Sequence, residues 1–334
     1  MIYIFIFFII NISFVIFYDF FRKKINIIDI PDNKRKLHKI PVPLLGGIFL
    51  FINLFLLLII SLSDKHILYD FFYLKEKKDI IIFFSSCFFI FMLGLLDDKF
   101  RISPYFRFII FLIIFLVITQ EQNLRIEYIQ LSFLKDKIDL NYFSHFFTIL
   151  CFLLFINAFN FFDGINLQSG IYSLILSIII SIINNNLLFF YILQIFLIIF
   201  LYLNYKNKTF LGDSGTYLLS FIFAYYFIKF YNDRHIIYAD EIVVLMLIPG
   251  LDLFRLFFVR IINKKNPFFP DKNHIHHLLL KKFNYIWVNF ILSFLIIFSY
   301  FFYKIFTIQY LSIFFIIIIY FFLVYYFSKI KFKQ

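Results

Sequence analysis

Two adjacent aspartates, Asp97 and Asp98, end an apolar stretch of the chain, and Arg101 and Arg107 follow closely. Carboxylates at the edge of hydrocarbon are costly unless water, a cation or a metal ion neutralises them. Paired oxygen donors suit a hard divalent cation such as Mg²⁺, which keeps several of its waters. The pair therefore indicates either a metal and phosphate site or a solvated helix end with local ion pairs.

A second polar segment ends a later apolar stretch. Asn157 and Asn160 are one helical turn apart and share a helix face, and Asp163 follows one turn later, before Gly164. Buried amide groups must find hydrogen-bond partners. A ligand with many polar edges, such as a nucleotide, would supply them, and hydrogen bonds between helices are the alternative.

A short Gly-Asp-Ser-Gly sequence at residues 212–215 precedes another apolar stretch. An aspartate among small residues at a helix N-terminus predicts an anion or metal-phosphate site around Asp213. The same four residues are also an ordinary helix cap. Both interpretations stay open.

Histidines cluster in a long loop at residues 260–282, where His274, His276 and His277 lie among basic residues and prolines. Histidines with basic residues suit a polyphosphate ligand. A transition-metal site and a basic patch facing lipid headgroups are the alternatives.

Another basic loop, at residues 22–47, contains His38 and Lys39. Its basic run can simply set the topology of the chain. The Pro-x-Pro and Gly-Gly sequences that follow, Pro41 to Gly47, are not needed for that role.

The elements that must position these residues are membrane-spanning helices. The 334-residue chain is 63% hydrophobic and 16% charged, unlike a soluble globular protein. Its apolar stretches are long enough to cross a hydrocarbon core of about 30 Å and lack the alternation of spanning strands. The predicted fold class is an all-α polytopic membrane protein with about eleven transmembrane helices. The predicted spans are 1–21, 44–62, 80–96, 106–119, 143–159, 169–183, 187–204, 214–230, 241–259, 286–303 and 307–327.

The distribution of Lys and Arg predicts the orientation of these helices. The first apolar stretch lacks the basic start and cleavage site of a signal peptide, and its basic cluster, residues 22–24, follows it. Because Lys and Arg near span ends favour the cytoplasm, we expect the N-terminus outside and the C-terminus in the cytoplasm. All candidate site residues then face the cytoplasm, and the polar residues 120–142 form an outer hairpin.

These segments, in this order and at these span ends, resemble the polyprenyl-phosphate N-acetylhexosamine-1-phosphate transferase family. Members start the synthesis of O-antigen and other cell-envelope polysaccharides, and the phospho-MurNAc-pentapeptide translocase is a relative. The resemblance covers residues 22–282, with two further spans at 286–327, and implies one integral-membrane transferase domain over residues 1–334. It implies transfer of a sugar-1-phosphate from a UDP-N-acetylhexosamine to undecaprenyl phosphate or a similar polyprenyl phosphate, with release of UMP. The implied location is the bacterial cytoplasmic (inner) membrane, and the implied cofactor is Mg²⁺, with Mn²⁺ as the alternative.

The resemblance also implies a role for each matching residue. The implied catalytic residues are Asp97, Asp98, His274, His276 and His277. The implied metal-binding residues are Asp213, Asn160 and Asp98. The implied substrate-binding residues are His38, Lys39, Arg107, Asn157, Asp163, Gly164 and Asn166. Bacterial relatives usually read Asp-Gly-Ile-Asp-Gly where this chain has Asn166 and Leu167 after Asp163-Gly164-Ile165, so we expect a different local loop shape.

Two other functions stay open beside this one. The peptidoglycan translocase would use the same motifs on UDP-MurNAc-pentapeptide. A transporter or channel with a cytoplasmic cation site would also be polytopic, but it predicts charged groups near the bilayer midplane and inverted repeats. We expect membrane lipid as a partner, no nucleic acid, and a homodimer as one compatible assembly.

Overall fold

The computed structural model describes residues 2–31, 40–63, 72–74, 77–184, 187–266, 273–306 and 308–330. The regular secondary structure of these residues is helical apart from two short antiparallel strand pairs, so the predicted all-α class is confirmed. The helices are α1 (Ile2–Ile16), α2 (Tyr18–Ile25), α3 (Gly46–Ser63), α4 (Lys77–Phe100), α5 (Pro104–Ile118), α6 (Ser144–Phe162), α7 (Gln168–Ile183), α8 (Leu188–Tyr205), α9 (Gly212–Asn232), α10 (Ala239–Ile262), α11 (Ile275–Leu279), α12 (Tyr285–Ile305) and α13 (Gln309–Ser328). The antiparallel strand pairs are β1 (Ile28–Asp29) with β2 (Val42–Pro43) and β3 (Tyr128–Ile129) with β4 (Ile138–Asp139).

Apolar composition makes these segments helical, because only internal hydrogen bonding satisfies a backbone in hydrocarbon. Within the described ranges six helices are long and apolar enough to cross a membrane, namely α4, α6, α8, α10, α12 and α13. The pair α1 and α2 makes a seventh if it is one bent span, and α3, α5 and α7 are shorter apolar helices. The chain is therefore a multi-pass membrane protein, while the count of eleven and the orientation stay predictions.

The predicted span 1–21 is not one straight helix. It breaks at Phe17, and α1 and α2 meet at a bend of 67°. Half of the eight residues of α2 are charged, whereas α1 carries no charge, so the two pieces favour different surroundings. The hydroxyl of Tyr18 donates to the carbonyl oxygen of Lys208 at 2.6 Å and fixes the start of α2.

The chain divides into two compact units. The first unit comprises the residues up to Ile118 together with Ser169–Phe223, and the second comprises Thr119–Gln168 together with the residues from Ala224 onward. Each unit therefore consists of two separate parts of the sequence. The single transferase domain expected over residues 1–334 stays a prediction.

In the first unit, α1 packs against α8, α3 packs against α4 and α8, and α4 packs against α5. A reciprocal amide pair joins α1 to α3: Asn11 donates to Asn53 at 2.8 Å, and Asn53 donates to Asn11 at 3.1 Å. Both side chains are buried. Amide pairs of this kind are a usual way to join helices in apolar surroundings.

In the second unit, α10 packs against α6, α12 and α13, and α11 packs against α12 and α13. The β3–β4 hairpin confirms the hairpin predicted within residues 120–142. The loop between β3 and β4 is bonded to the first turn of α10, where Asp240 accepts hydrogen bonds from the backbone amide and the hydroxyl of Ser132 at 3.0 and 2.5 Å. The hydroxyl of Tyr231 accepts from the amide of Gln130 at 2.8 Å.

Candidate functional site

In the first unit, Asp97 lies buried near the end of α4, and both of its carboxylate oxygens accept hydrogen bonds. Its Oδ2 accepts from Arg107 Nη1 at 2.5 Å and from the hydroxyl of Tyr217 at 2.9 Å. Its Oδ1 accepts from the amide of Ile102 at 2.8 Å. The structure thus brings together Asp97 and Arg107, two of the predicted site residues, in an ion pair whose burial requires this full set of partners.

Asp98 has a different role, as a cap on a distant helix. Its two carboxylate oxygens accept from the amides of Asp213 at 2.7 Å and Ser214 at 3.1 Å, in the first turn of α9. A carboxylate is favourable there because it satisfies N–H groups and complements the helix dipole. Gly212 has a φ of +74°, and a Cβ atom there would lie 2.6 Å from Asp98 Oδ2. The anion site predicted at this N-terminus is therefore filled by the protein's own Asp98.

Asp98 and Asp213 bring two carboxylate side chains to the first turn of α9, where both were predicted to bind metal. Mg²⁺ commonly binds one or two carboxylates and completes its octahedron with waters and substrate phosphates. No group of three or more His, Cys, Asp or Glu side chains converges on one point in the described parts of the chain. Two carboxylates suffice only for an ion that takes its other ligands from water and phosphate. Asn160, the other residue predicted to bind metal, belongs to the second unit.

In the second unit, the predicted asparagines line the last turns of α6 and the segment after it. The side chain of Asn157 donates to Leu153 of its own helix at 2.7 Å. The backbone of Asp163 ends the helix by donating to Asn160 O at 3.2 Å. The carbonyl of Asn166 accepts from the side chain of Asn289 at 2.8 Å, which ties this segment to α12.

Gly164 contacts the ring of His276, and a Cβ atom at Gly164 would collide with that ring. His276 is buried, and neither of its ring nitrogens has a hydrogen-bond partner among the residues described. Burial lowers the pKa of His276 well below its usual value, and the neighbouring His277 and His274 lower the pKa further. The imidazole is therefore neutral near pH 7 and offers one donor and one acceptor.

The His274 and His276 rings stack with centroids 5.3 Å apart and an interplanar angle of 5°. The ring centroids of His277 and His276 lie 4.4 Å apart. The structure thus brings the three predicted histidines together beside Gly164. It describes neither His38 and Lys39 nor residues 267–272, so the predictions for those positions lie outside the described residues.

Sequence reasoning missed the residue that holds the histidine segment, Asp252 of α10. Its carboxylate accepts from Arg255 at 2.7 Å, from the amide of Ile275 at 3.0 Å and from the hydroxyl of Tyr320 at 2.8 Å. His274 Nδ1 lies 2.8 Å from its other oxygen. An acid and a base three residues apart inside a predicted apolar span were the signal available in the sequence, because such groups rarely lie there without a partner.

An apolar cavity of about 400 Å³ lies in the second unit. Leu154 and Ala158 of α6, Met246 and Gly250 of α10, and Ile129 of the hairpin are among its lining residues. A cavity with so little polar surface suits a hydrocarbon chain.

Comparison with known proteins gives the family. A model described as Glycosyl transferase family 4 matches residues 80–231. The undecaprenyl-phosphate alpha-N-acetylglucosaminyl 1-phosphate transferase of Thermotoga maritima is 30% identical over 264 residues, which cover 78% of this chain and 76% of the relative. The chain belongs to glycosyl transferase family 4.

Two further relatives of this family 4 transferase carry similar names. A probable undecaprenyl-phosphate N-acetylglucosaminyl 1-phosphate transferase of Bacillus subtilis is 28% identical over 270 residues, covering 77% of this chain and 70% of the relative. The corresponding alpha-N-acetylglucosaminyl enzyme of Salmonella typhi is 27% identical over 270 residues with the same coverage. The family assignment made from the sequence motifs is confirmed, and with it the prediction that the chain is a transferase.

Proposed function

We propose that this family 4 transferase moves an N-acetylhexosamine-1-phosphate from a UDP-sugar to undecaprenyl phosphate, releases UMP and so starts a cell-envelope polysaccharide. The observation that carries the proposal is the similarity, over more than three quarters of the chain, to relatives named for this reaction with N-acetylglucosamine. We further propose that it acts at the cytoplasmic face of a bacterial inner membrane.

The reaction joins two anions. A phosphate oxygen of the carrier lipid attacks the sugar-bearing β-phosphorus, a new P–O bond forms, and the bond to the UMP leaving group breaks. A phosphate monoester has its second pKa near 6, so the attacking oxygen needs positioning more than deprotonation. Arg107, held by Asp97 and Tyr217, is a fixed cation suited to a phosphate group.

The residues that would hold Mg²⁺ are Asp213 and Asp98, whose carboxylates give a partial oxygen donor set. When bound, the ion supplies neutralisation of the phosphate charges. Asp98 also holds the first turn of α9, so it sets the position of Asp213. We propose that the three aspartates act together in this way, with Asp97 orienting Arg107.

In the second unit, different features are suited to binding each of the two substrates. The apolar cavity beside α6 and α10 suits part of a polyprenyl chain. The asparagines of α6, the Asp163-Gly164 segment and the histidines offer polar groups for a sugar nucleotide. A neutral His276 with two unpartnered nitrogens is suited to hydrogen bonds with such a ligand.

The peptidoglycan translocase stays the alternative within the family. It differs in its donor, UDP-MurNAc-pentapeptide, whereas the three relatives described are named for N-acetylglucosamine. The transporter interpretation loses its support, because the chain belongs to a family of glycosyl transferases.

The test is UMP release by purified protein given Mg²⁺, undecaprenyl phosphate and a panel of UDP-N-acetylhexosamines, with UDP-MurNAc-pentapeptide as a separate donor. We expect release with at least one UDP-N-acetylhexosamine, and a loss of about 100-fold or more in the Asp97→Asn and Asp213→Asn variants. Asp139→Asn is the matched control, because this hairpin aspartate is exposed.

Three results would overturn the proposal. The first is no UMP release with any donor from a folded wild-type protein. The second is release only with UDP-MurNAc-pentapeptide, which would favour the translocase. The third is full activity in both aspartate variants, which would remove these residues from the site.

A further inference from the structure

We propose that Asp252, Arg255 and Tyr320 form a positioning cluster that holds the histidine segment in place for the sugar nucleotide. This inference rests on the proposed function and extends it to α13, which lies beyond the motif-bearing residues 22–282. The three residues are positioning residues, because they act through the histidines.

Asp252 carries a buried charge whose partners come from three elements. Arg255 lies on its own helix α10, Ile275 and His274 belong to the start of α11, and Tyr320 belongs to α13. A buried carboxylate is tolerated only when its lone pairs are matched. The position of α11 is therefore set by the need to satisfy Asp252.

Arg255 extends the same network to the backbone before the histidines. Its Nη2 donates to the carbonyl of Asn273 at 2.6 Å as well as to Asp252. Its Nε donates to the hydroxyl of Tyr320 at 2.9 Å. The tyrosine hydroxyl thus accepts from Arg255 and donates to Asp252, and it is the one contribution of α13 to these bonds within the described ranges.

The histidine segment depends on contacts with other elements. The helix α11 has five residues, and a helix this short is not stable without tertiary contacts. His274 is fixed by Asp252, His276 stacks on His274, and His276 meets Gly164. A shift of Tyr320 would therefore pass through Asp252 and His274 to His276, the ring that contacts Gly164.

The test compares two tyrosine variants that remove the same kind of bond. Tyr320→Phe removes a buried hydroxyl that donates to Asp252 at 2.8 Å. Tyr303→Phe removes a buried hydroxyl that donates to Asp240 at 3.0 Å, in the first turn of α10. Phenylalanine keeps the packing in both cases, whereas a change at Asp252 would leave the half-buried Arg255 without its carboxylate partner.

Two readouts are taken on each variant and on wild type, with UDP-GlcNAc and undecaprenyl phosphate as substrates. The first is steady-state kinetics of UMP release for each substrate in turn. The second is amide hydrogen exchange of the peptide covering residues 273–283, in the intact protein without substrate.

For Tyr320→Phe we expect faster exchange in residues 273–283 and a fall of about tenfold in kcat/KM for UDP-GlcNAc. The KM for undecaprenyl phosphate should stay as in wild type. For Tyr303→Phe we expect wild-type exchange in this peptide and wild-type kinetics for both substrates. A general loss of stability would not produce this split between the two substrates.

The proposal is overturned if Tyr320→Phe and Tyr303→Phe behave alike in both readouts. It is also overturned if exchange rises in Tyr320→Phe while kcat/KM for UDP-GlcNAc is unchanged, because the segment would then be held for no catalytic purpose. A folded wild type that turns over no donor refutes the proposed function itself. Unchanged exchange in Tyr320→Phe would refute the holding role independently of activity.

Discussion

At Gly164, the contact with His276 leaves no room for a side chain. The two residues are 112 positions apart in the sequence (276 − 164), so this requirement is a consequence of packing. Gly250 is the opposite case, because a Cβ atom there would meet no described side chain within 4 Å. The two glycines form a matched pair for a test of the site.

We expect Gly164→Ala to displace the His276 ring and to lower kcat/KM for the UDP-sugar by on the order of 100-fold, because small misplacements in a site are costly. Gly250→Ala should leave the unfolding temperature equal or higher, since alanine favours a helix over glycine by about 1 kcal/mol. UMP release for the first variant and thermal unfolding for both are the measurements. Wild-type kinetics in Gly164→Ala would contradict the described contact.

Local spacing could predict which residues near each other in the sequence are in contact, but not their roles. Asp97 and Arg107 are ten positions apart (107 − 97), and their proximity follows from one turn between two helices. The role of Asp98 as a cap on α9 did not follow, because its partners at residues 213 and 214 are reached only through packing. Asp252 has a local partner in Arg255, but its contacts with the histidine segment and with Tyr320 did not follow from the sequence, because they are made only through packing.

At the scale of elements, apolar stretches predicted the helices because hydrocarbon leaves a backbone few other choices. The ends of the helices were predicted less accurately. The span predicted at 80–96 is the helix α4, which runs to Phe100 and so includes both aspartates in its last turns. The break at Phe17 was not visible, because the residues on both sides of it are apolar or aromatic.

The β3–β4 hairpin gives a prediction at this scale. Ser132→Ala removes the hydroxyl bond to Asp240, and we expect faster amide exchange in residues 128–139 and a loss of about 1 kcal/mol in stability. Ser299→Ala is the control, because this buried hydroxyl bonds only its own helix, at Leu295 O, among the bonds described. Equal exchange of the hairpin in both variants would show that the bond does not anchor it.

At the scale of the whole molecule, the proposed function requires the aspartate and histidine segments to face the same side of the membrane. The charge distribution of the sequence predicts that both segments lie on the cytoplasmic side, and this orientation is still a prediction. Three exposed residues can report on it: Lys99 beside the aspartates, Lys282 after the histidines, and Tyr142 after the hairpin. The chain has two natural cysteines, Cys87 and Cys151, to be replaced beforehand.

We expect single cysteines at positions 99 and 282 to react with an impermeant maleimide only in inverted membrane vesicles, and a cysteine at 142 to react in intact cells. The reason is the excess of Lys and Arg near the ends predicted to lie inside. Protein labelled with the same reagent after detergent solubilisation is the control for reactivity. Labelling of positions 99 and 282 from opposite sides would rule out one shared site.

In the proposed reaction the sugar moves together with a phosphate, so the fate of the donor's β-phosphate distinguishes this reaction from transfer of the sugar alone. The donor is a UDP-N-acetylhexosamine with radioactive phosphorus in the β-phosphate and tritium in the sugar, given to the purified protein with undecaprenyl phosphate and Mg²⁺. We predict that both labels enter the lipid product in equal molar amounts and that the uridine leaves as UMP. A lipid product with the sugar label alone, and UDP in the aqueous phase, would contradict the account.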